Sequence, residues 1–378
     1  MVDERALAER LMSYDTSRAE ELAAAAAFVK GWLEAREIRV DEHNHNGLPV
    51  ILADVGATDG PTVILHGHLD VVPGFEEQFS PRVEGDRLIG RGAYDMKGGL
   101  AAMLCALRDC AEQDRVRVRF LCVPDEEAED VDERSTDELV RGGLSGDFAI
   151  TGEPTNLHIG IQAKGVLAMR IEVRGRSAHG STPWLGDSAI LKAFDVFRQI
   201  EAMPFARESS ELFDRPSINL GRIDGGDVFN KVPDRCEMVV DVRYLPGQDP
   251  GAILAQVRAL PDVTVVRTLT RAPANVPRTN PYVRALRDAL GRTLDDEPLS
   301  VGRDGASDAI SFIEAGIPAV EFGPVGGGHH GPDEWVSLSS LRRYRQALGD
   351  FVRTLPEWLA RDRAAGESGL KAIEGGLA

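Results

Sequence analysis

The segment TVILHGHLDVVP, residues 62–73, most constrains the fold, because a run of apolar and β-branched residues ends abruptly in His66, His68 and Asp70. Such a run reads as a strand buried on both faces. The pattern recurs: VRVRFLCVPDEEAED ends its strand in Asp125, Glu126 and Glu127, and FAITGEPT places Glu153 just past a strand end. IPAVEF is followed by GPVGGGHHGPDEW, with His329 and His330 in a Gly-rich loop. Helical stretches, 98–110 and 136–141, lie between the earlier runs. Strand–helix alternation predicts an α/β layer with a largely parallel sheet, whose strand ends collect along one edge.

After Lys164 the pattern changes. Residues 166–173 alternate apolar and polar, as in a sheet with one wet face. A helix over 188–203, strands over 217–223 and 236–244, a helix over 250–260 and a strand over 263–268 follow. That β-α-β-β-α-β order resembles the split-βαβ, ferredoxin-like motif. The chain then returns to α/β style, with a helix over 281–292, a strand over 319–322 and a long helix from Leu338. The expected organisation is a catalytic α/β domain, 1–164 and 276–378, interrupted by a smaller α+β domain at 165–275. Residues 5–37 read as one helix around an alanine run, and the tail beyond Arg363 as a frayed end.

With 43 Lys+Arg against 61 Asp+Glu, the 378-residue chain carries a net charge of −18, which disfavours nucleic acid as a partner. No run approaches the ~20 apolar residues of a membrane span, and the charged N-terminus lacks the apolar centre of a secretion signal. Four cysteines without CxxC spacing suggest a cytoplasmic protein, and Cys105, Cys110 and Cys122, in apolar surroundings, read as small core residues.

The polar strand ends suit metal binding. His68 and Asp70 lie two apart, as an imidazole ligand and the carboxylate holding its other nitrogen would. Asp95, between a Gly-rich turn and a helix, could ligate or bridge metal; a helix cap is the plainer role. Consecutive acids after a buried strand repel unless a cation or proton intervenes, whereas 129–133 reads as a solvated acidic loop. His68, Asp95, Glu127, Glu153 and His330 are separated by 27, 32, 26 and 177 residues. Two histidines and three carboxylates gathered at one sheet edge suit a pair of zinc-like ions.

HGHLDVVP, GRGAYDMKGG, PDEEAED, TGEPT, GRSAHGSTPWLGDSAI and GASDA…GIPAVEFGP…HHGPDEW, in this order, resemble the M20 family of dinuclear metallo-amidohydrolases. The likeness spans about residues 5–358. It implies a zinc-peptidase-like catalytic domain with an inserted dimerisation domain, and hence a homodimer, or else a large domain closure. It implies two divalent ions per subunit, zinc with cobalt or manganese as alternatives. His68 and Glu153 correspond to ligands of one metal, Glu127 and His330 to ligands of the other, and Asp95 to the bridging carboxylate. Asp70 corresponds to the partner orienting His68, and Glu126 to the general base. His330 is favoured over His329 because the family histidine precedes the x-P-D-E sequence. His179 corresponds to a residue that enters the partner subunit's site and stabilises the oxyanion. Asn230 and Arg243 correspond to substrate contacts, although Arg243 could equally form a salt bridge with Asp241; Lys164 stands where desuccinylases carry a substrate-gripping arginine, and still offers a cation for substrate. The implied reaction is hydrolysis of an N-acyl amino acid, foremost N-succinyl-LL-2,6-diaminopimelate to succinate and LL-2,6-diaminopimelate. The alternatives are an acetylornithine deacetylase-like enzyme, another N-acyl amino acid deacylase, or a dipeptidase or carboxypeptidase. A non-catalytic relative would be expected to lack Glu126 or a ligand, and none is missing.

Overall fold

A computed structural model describes residues 4–128, 133–294 and 297–375. The chain forms two compact units. The first comprises Met1–Ile161, Val276–Val301 and Ser307–Ala378, and the second comprises Gln162–Asn275 with Gly302–Ala306.

The first unit is built on a mixed sheet in the order Val40–His45, Leu48–Gly56, Arg117–Val123, Thr62–His68, Phe148–Thr151, Ala319–Glu321, Ile159–Ala163. The four strands in the middle of this order run parallel, with His68 opposite Val123, His66 opposite Thr151 and Val320 opposite Ile150. Their C-terminal ends therefore share one edge, and the residues that follow each strand meet there. The strands are buried almost throughout, which explains their continuous apolar runs. Helix Lys97–Asp109 is buried along nearly its whole length. Cys105, Cys110 and Cys122 are buried in this unit and Cys236 in the other, and none is in a disulfide. Burial pushes the Cys105 and Cys110 thiols up to about 11.

Three local features differ from, or add to, the reading of the sequence. The N-terminal helix is two helices, Glu4–Met12 and Ala19–Glu34. Between them, Ser13 donates to the Arg10 carbonyl and Thr16 to the Leu69 carbonyl, at 2.7 and 2.5 Å. Such side-chain bonds compete with helical pairing. Second, residues 40–56 form a hairpin turning at Asn46-Gly47, both at positive φ (51° and 85°). Third, the last helix runs Leu338–Gly375, past Arg363. Of the expected acidic loop, residues 129–132 lie outside the described residues.

The second unit is smaller and β-rich. Its antiparallel sheet has the order Ser217–Gly225, Arg235–Tyr244, Gly165–Arg174, Val263–Arg271, which is the ferredoxin-like arrangement. Arg235–Tyr244 alternates in burial along its length. The inward Met238, Val240 and Val242 pack with Met169 and Ile171 against Ala193, Val196 and Ile200 of helix Ala189–Glu201. No helix among the described residues is long and apolar enough to cross a membrane.

Candidate metal centre

Three strand ends, one turn and one loop build this site. His68 closes strand Thr62–His68 with its ring wholly buried. Its Nδ1 lies 3.0 Å from the Asp70 backbone oxygen and 3.4 Å from Asp70 Oδ1. Asp70 also accepts from the backbone N–H groups of Glu126 and Glu127, at 3.2 and 2.7 Å. One carboxylate thus links the histidine to the turn carrying the acidic pair.

Asp95 occupies the turn before helix Lys97–Asp109. The buried Glu334 carboxylate accepts from the N–H groups of Gly92, Tyr94 and Asp95, at 3.1, 2.9 and 2.9 Å, and pairs with Arg91 at 2.9 Å. This holds the turn rigidly, and Asp95 faces histidines on both sides. His68 Nε2 lies 3.1 Å from Asp95 Oδ1, and His330 Nε2 lies 3.2 Å from Oδ2. His329 also contacts Oδ2. His330 Nε2 is 2.8 Å from Glu127 Oε1, and His68 Nε2 is 3.9 Å from Glu153 Oε1.

Two metal-competent groups result: His68, Asp95 and Glu153, and Asp95, His329 and His330. Within each, donor atoms lie within 4.8 Å of one another, and Asp95 belongs to both. The donor set also calls for cations on electrostatic grounds. Glu153 Oε1 is buried without a hydrogen-bond partner, a costly state for a carboxylate that a cation would relieve. Burial and the charge of Asp95 push the Glu153 carboxyl well above its usual range. Hydrogen bonds to Asp95 and Glu127 raise His330 to about 10. Burial works against the charged form of His68, yet its bonds to Asp70 and Asp95 raise it well above the ordinary value. Each shift is toward taking up positive charge, which bound metal supplies in place of protons. The residues fit two divalent ions.

Glu126 stands beside this set, buried and raised to about 8 by that burial. Arg134 Nη1 donates to Glu126 Oε1 at 2.7 Å and to Asp308 Oδ1 at 2.8 Å. Nothing in the local sequence marks Arg134. Asp308 carries only a weak signal, opening a short apolar helix, and the signal for His329 is the histidine doublet itself.

The other sequence-predicted residues belong to the second unit. His179 sits in an exposed loop with its Nδ1 2.8 Å from Ser181 Oγ. The Asn230 carbonyl accepts from Gly180 N at 2.7 Å, so these two loops run side by side. Arg243 Nε pairs with Asp241 at 2.9 Å, the structural alternative considered for it. Lys164 is buried, and its ammonium reaches Asp304 at 2.7 Å and Ser217 Oγ at 3.0 Å.

A parallel-sheet edge that gathers two imidazole–carboxylate groups around one shared aspartate defines a metal-dependent amidohydrolase. More specifically, the chain belongs to peptidase family M20/M25/M40, whose sequence profile matches residues 64–354. It is 32% identical to a Pyrobaculum aerophilum protein assigned as a LysW-lysine/LysW-ornithine hydrolase, over 80% of this chain and 84% of that one. It is 30% identical to a succinyl-diaminopimelate desuccinylase of Methylobacterium sp. (strain 4-46), over 93% of this chain and 96% of that one. The fold is shared with the aminopeptidase PepT of Bacillus cereus (TM-score 0.77, 19% identity, 94% of this chain and 99% of that one). It is shared equally with an M20 metallo-carboxypeptidase of Sulfolobus solfataricus (TM-score 0.76, 19% identity, 94% and 100%).

Proposed function

We propose that the protein hydrolyses the amide bond of an N-acyl amino acid, with N-succinyl-LL-2,6-diaminopimelate as the leading substrate. The observation that carries the reaction class is Asp95, shared by both metal-competent groups, with Glu126 beside them. His68 and Glu153 would hold one ion, Glu127 and His330 the other, and Asp95 both; zinc suits this donor set, with cobalt or manganese as alternatives. When bound, such ions acidify water and polarise the scissile carbonyl. Glu126 takes the proton from the attacking water and returns it to the leaving amine, a shuttle that its place beside the metal-competent groups allows. Asp70 orients His68 and anchors the Glu126–Glu127 turn.

The desuccinylase relatives support the succinyl substrate. The relative assigned to LysW-linked lysine or ornithine supports the second reading, a different acyl group on a basic amino acid. His179 would stabilise the oxyanion from a partner subunit, and Asn230, Arg243 and Lys164 would contact substrate. We place the dimer interface on the inserted domain. Leu191 and Phe194 on its helix are 67% and 47% exposed, and such apolar exposure favours a partner surface. The buried free thiols support a cytoplasmic location.

Turnover of N-succinyl-LL-2,6-diaminopimelate, N-acetyl-L-ornithine and a small dipeptide set, with zinc or cobalt added, tests the reading. Glu126→Gln is expected to lower turnover by about 10²–10⁴-fold while two metals per chain are retained. Loss of metal instead would exchange the roles of Glu126 and Glu127. Less than one metal per chain at saturation, with no hydrolysis, would sink the reading.

A further inference from the structure

We propose that Arg134 is a positioning residue for the reaction, holding the Glu126 carboxylate in its working orientation while Asp308 anchors Arg134 from behind. This rests on Glu126 being the proton shuttle.

Glu126 sits in a turn, and a glutamate there has three side-chain torsions to fix. Its backbone N–H is bound by Asp70 at 3.2 Å. Among the described residues, Arg134 is the side chain that hydrogen-bonds its carboxylate, at 2.7 Å. Arg134 immediately precedes helix Ser135–Arg141, and the same Nη1 donates to Asp308 at 2.8 Å. Asp308 is wholly buried and cannot drift. Its other oxygen accepts from Thr136 Oγ1 at 2.5 Å and lies 3.3 Å from His66 Nε2. The His66 ring is in turn set edge-on against Phe312, with centroids 5.3 Å apart. The polar chain therefore runs from the sheet interior to the reacting carboxylate, and each member is held by the one behind it.

Asp308 belongs in the chain because a guanidinium held by a second, buried carboxylate has a fixed position from which to orient Glu126. A displacement of ~1 Å at a reacting group can cost about 10²-fold in rate, which sets the expected size of the effect.

The test compares Arg134→Met, Arg134→Lys and Asp308→Asn with the wild-type zinc enzyme. The measurements are kcat and KM on N-succinyl-LL-2,6-diaminopimelate or N-acetyl-L-ornithine, whichever turns over, with metal content and melting temperature. Arg134→Met should lower kcat about 10²-fold, with KM within about threefold and metal content unchanged. Arg134→Lys, which keeps a charge between the two carboxylates, should recover part of that loss. Placed on Glu126→Gln, Arg134→Met should add little, because the group it positions is already disabled. Should Arg134→Met fail to fold, Arg134→Lys and Asp308→Asn carry the same comparison. A kcat within about threefold of wild type in folded Arg134→Met, or in Asp308→Asn where Arg134→Met does not fold, overturns the proposal. So does a kcat loss that tracks lost metal, or one that multiplies fully with Glu126→Gln. Full activity of Glu126→Gln alone would instead remove the shuttle reading on which the proposal rests.

Discussion

Asp308 is a buried carboxylate that stays ionised because its surroundings outweigh its burial. Desolvation alone would raise its pKa, but the hydrogen bond from His66, the charge of Arg134 and the hydrogen bond from Thr136 hold it well below the ordinary 3.8. A depressed folded-state pKa means stability that is complete above the unfolded value and lost as the pH falls toward the folded one. The contribution of Asp308 is therefore flat from neutrality to about pH 5 and declines below about pH 4. Asp308→Asn should cost about 3 kcal/mol at neutral pH, because it leaves Arg134 with one buried partner fewer. The deficit relative to wild type should shrink as acid protonates the native Asp308. Denaturant unfolding of both proteins from pH 7 to 3 checks this, and a deficit constant across that range would mean Asp308 carries no charge. Glu334 is a second buried carboxylate whose oxygens are taken up by Arg91 and three backbone donors.

At the scale of elements, the turn Arg91–Met96 and helix Lys97–Asp109 act together to place Asp95. Gly98 shows how tightly they join: a Cβ there would lie 2.3 Å from the Ala93 carbonyl oxygen and 3.1 Å from Val336. Alanine normally improves a helix interior by about 1 kcal/mol over glycine. Here the backbone clash should reverse the sign, so Gly98→Ala loses about 2 kcal/mol and binds metal more weakly. Thermal melts and a zinc titration measure both effects, and a stabilised variant with full metal affinity would show that the turn yields freely. The strands that carry the site were legible because full burial leaves continuous apolar runs with abrupt polar ends. The Val40–Gly56 hairpin was signalled only by Asn46-Gly47, whose residues favour the left-handed conformations of a tight turn. The break between the first two helices was masked by the alanine run, since helix propensity says nothing about Thr16 bonding to Leu69, far along the chain.

At the scale of the whole molecule, the inserted domain raises the question of what a second copy contributes. If His179 serves the partner's metal centre, neither His179→Ala nor Glu126→Ala homodimers should turn over at the wild-type rate. Mixed dimers would contain one intact site each, so random 1:1 reassembly should restore about a quarter of wild-type activity. No recovery in verified heterodimers would assign His179 to its own chain or to no catalytic role. The sequence by itself determined the strand–helix alternation of the catalytic layer, the inserted ferredoxin-like pattern and the residue types gathered at the strand ends, because these follow from local periodicity and polarity. Tertiary structure alone decided that His329 joins His330 against Asp95. It also decided that Glu334 holds the turn beneath Asp95, and that Arg134 reaches from Glu126 to Asp308, 174 residues apart from it in the chain. These are through-space pairings of charge, and a linear chain carries no local signature of which distant partner will neutralise a buried group.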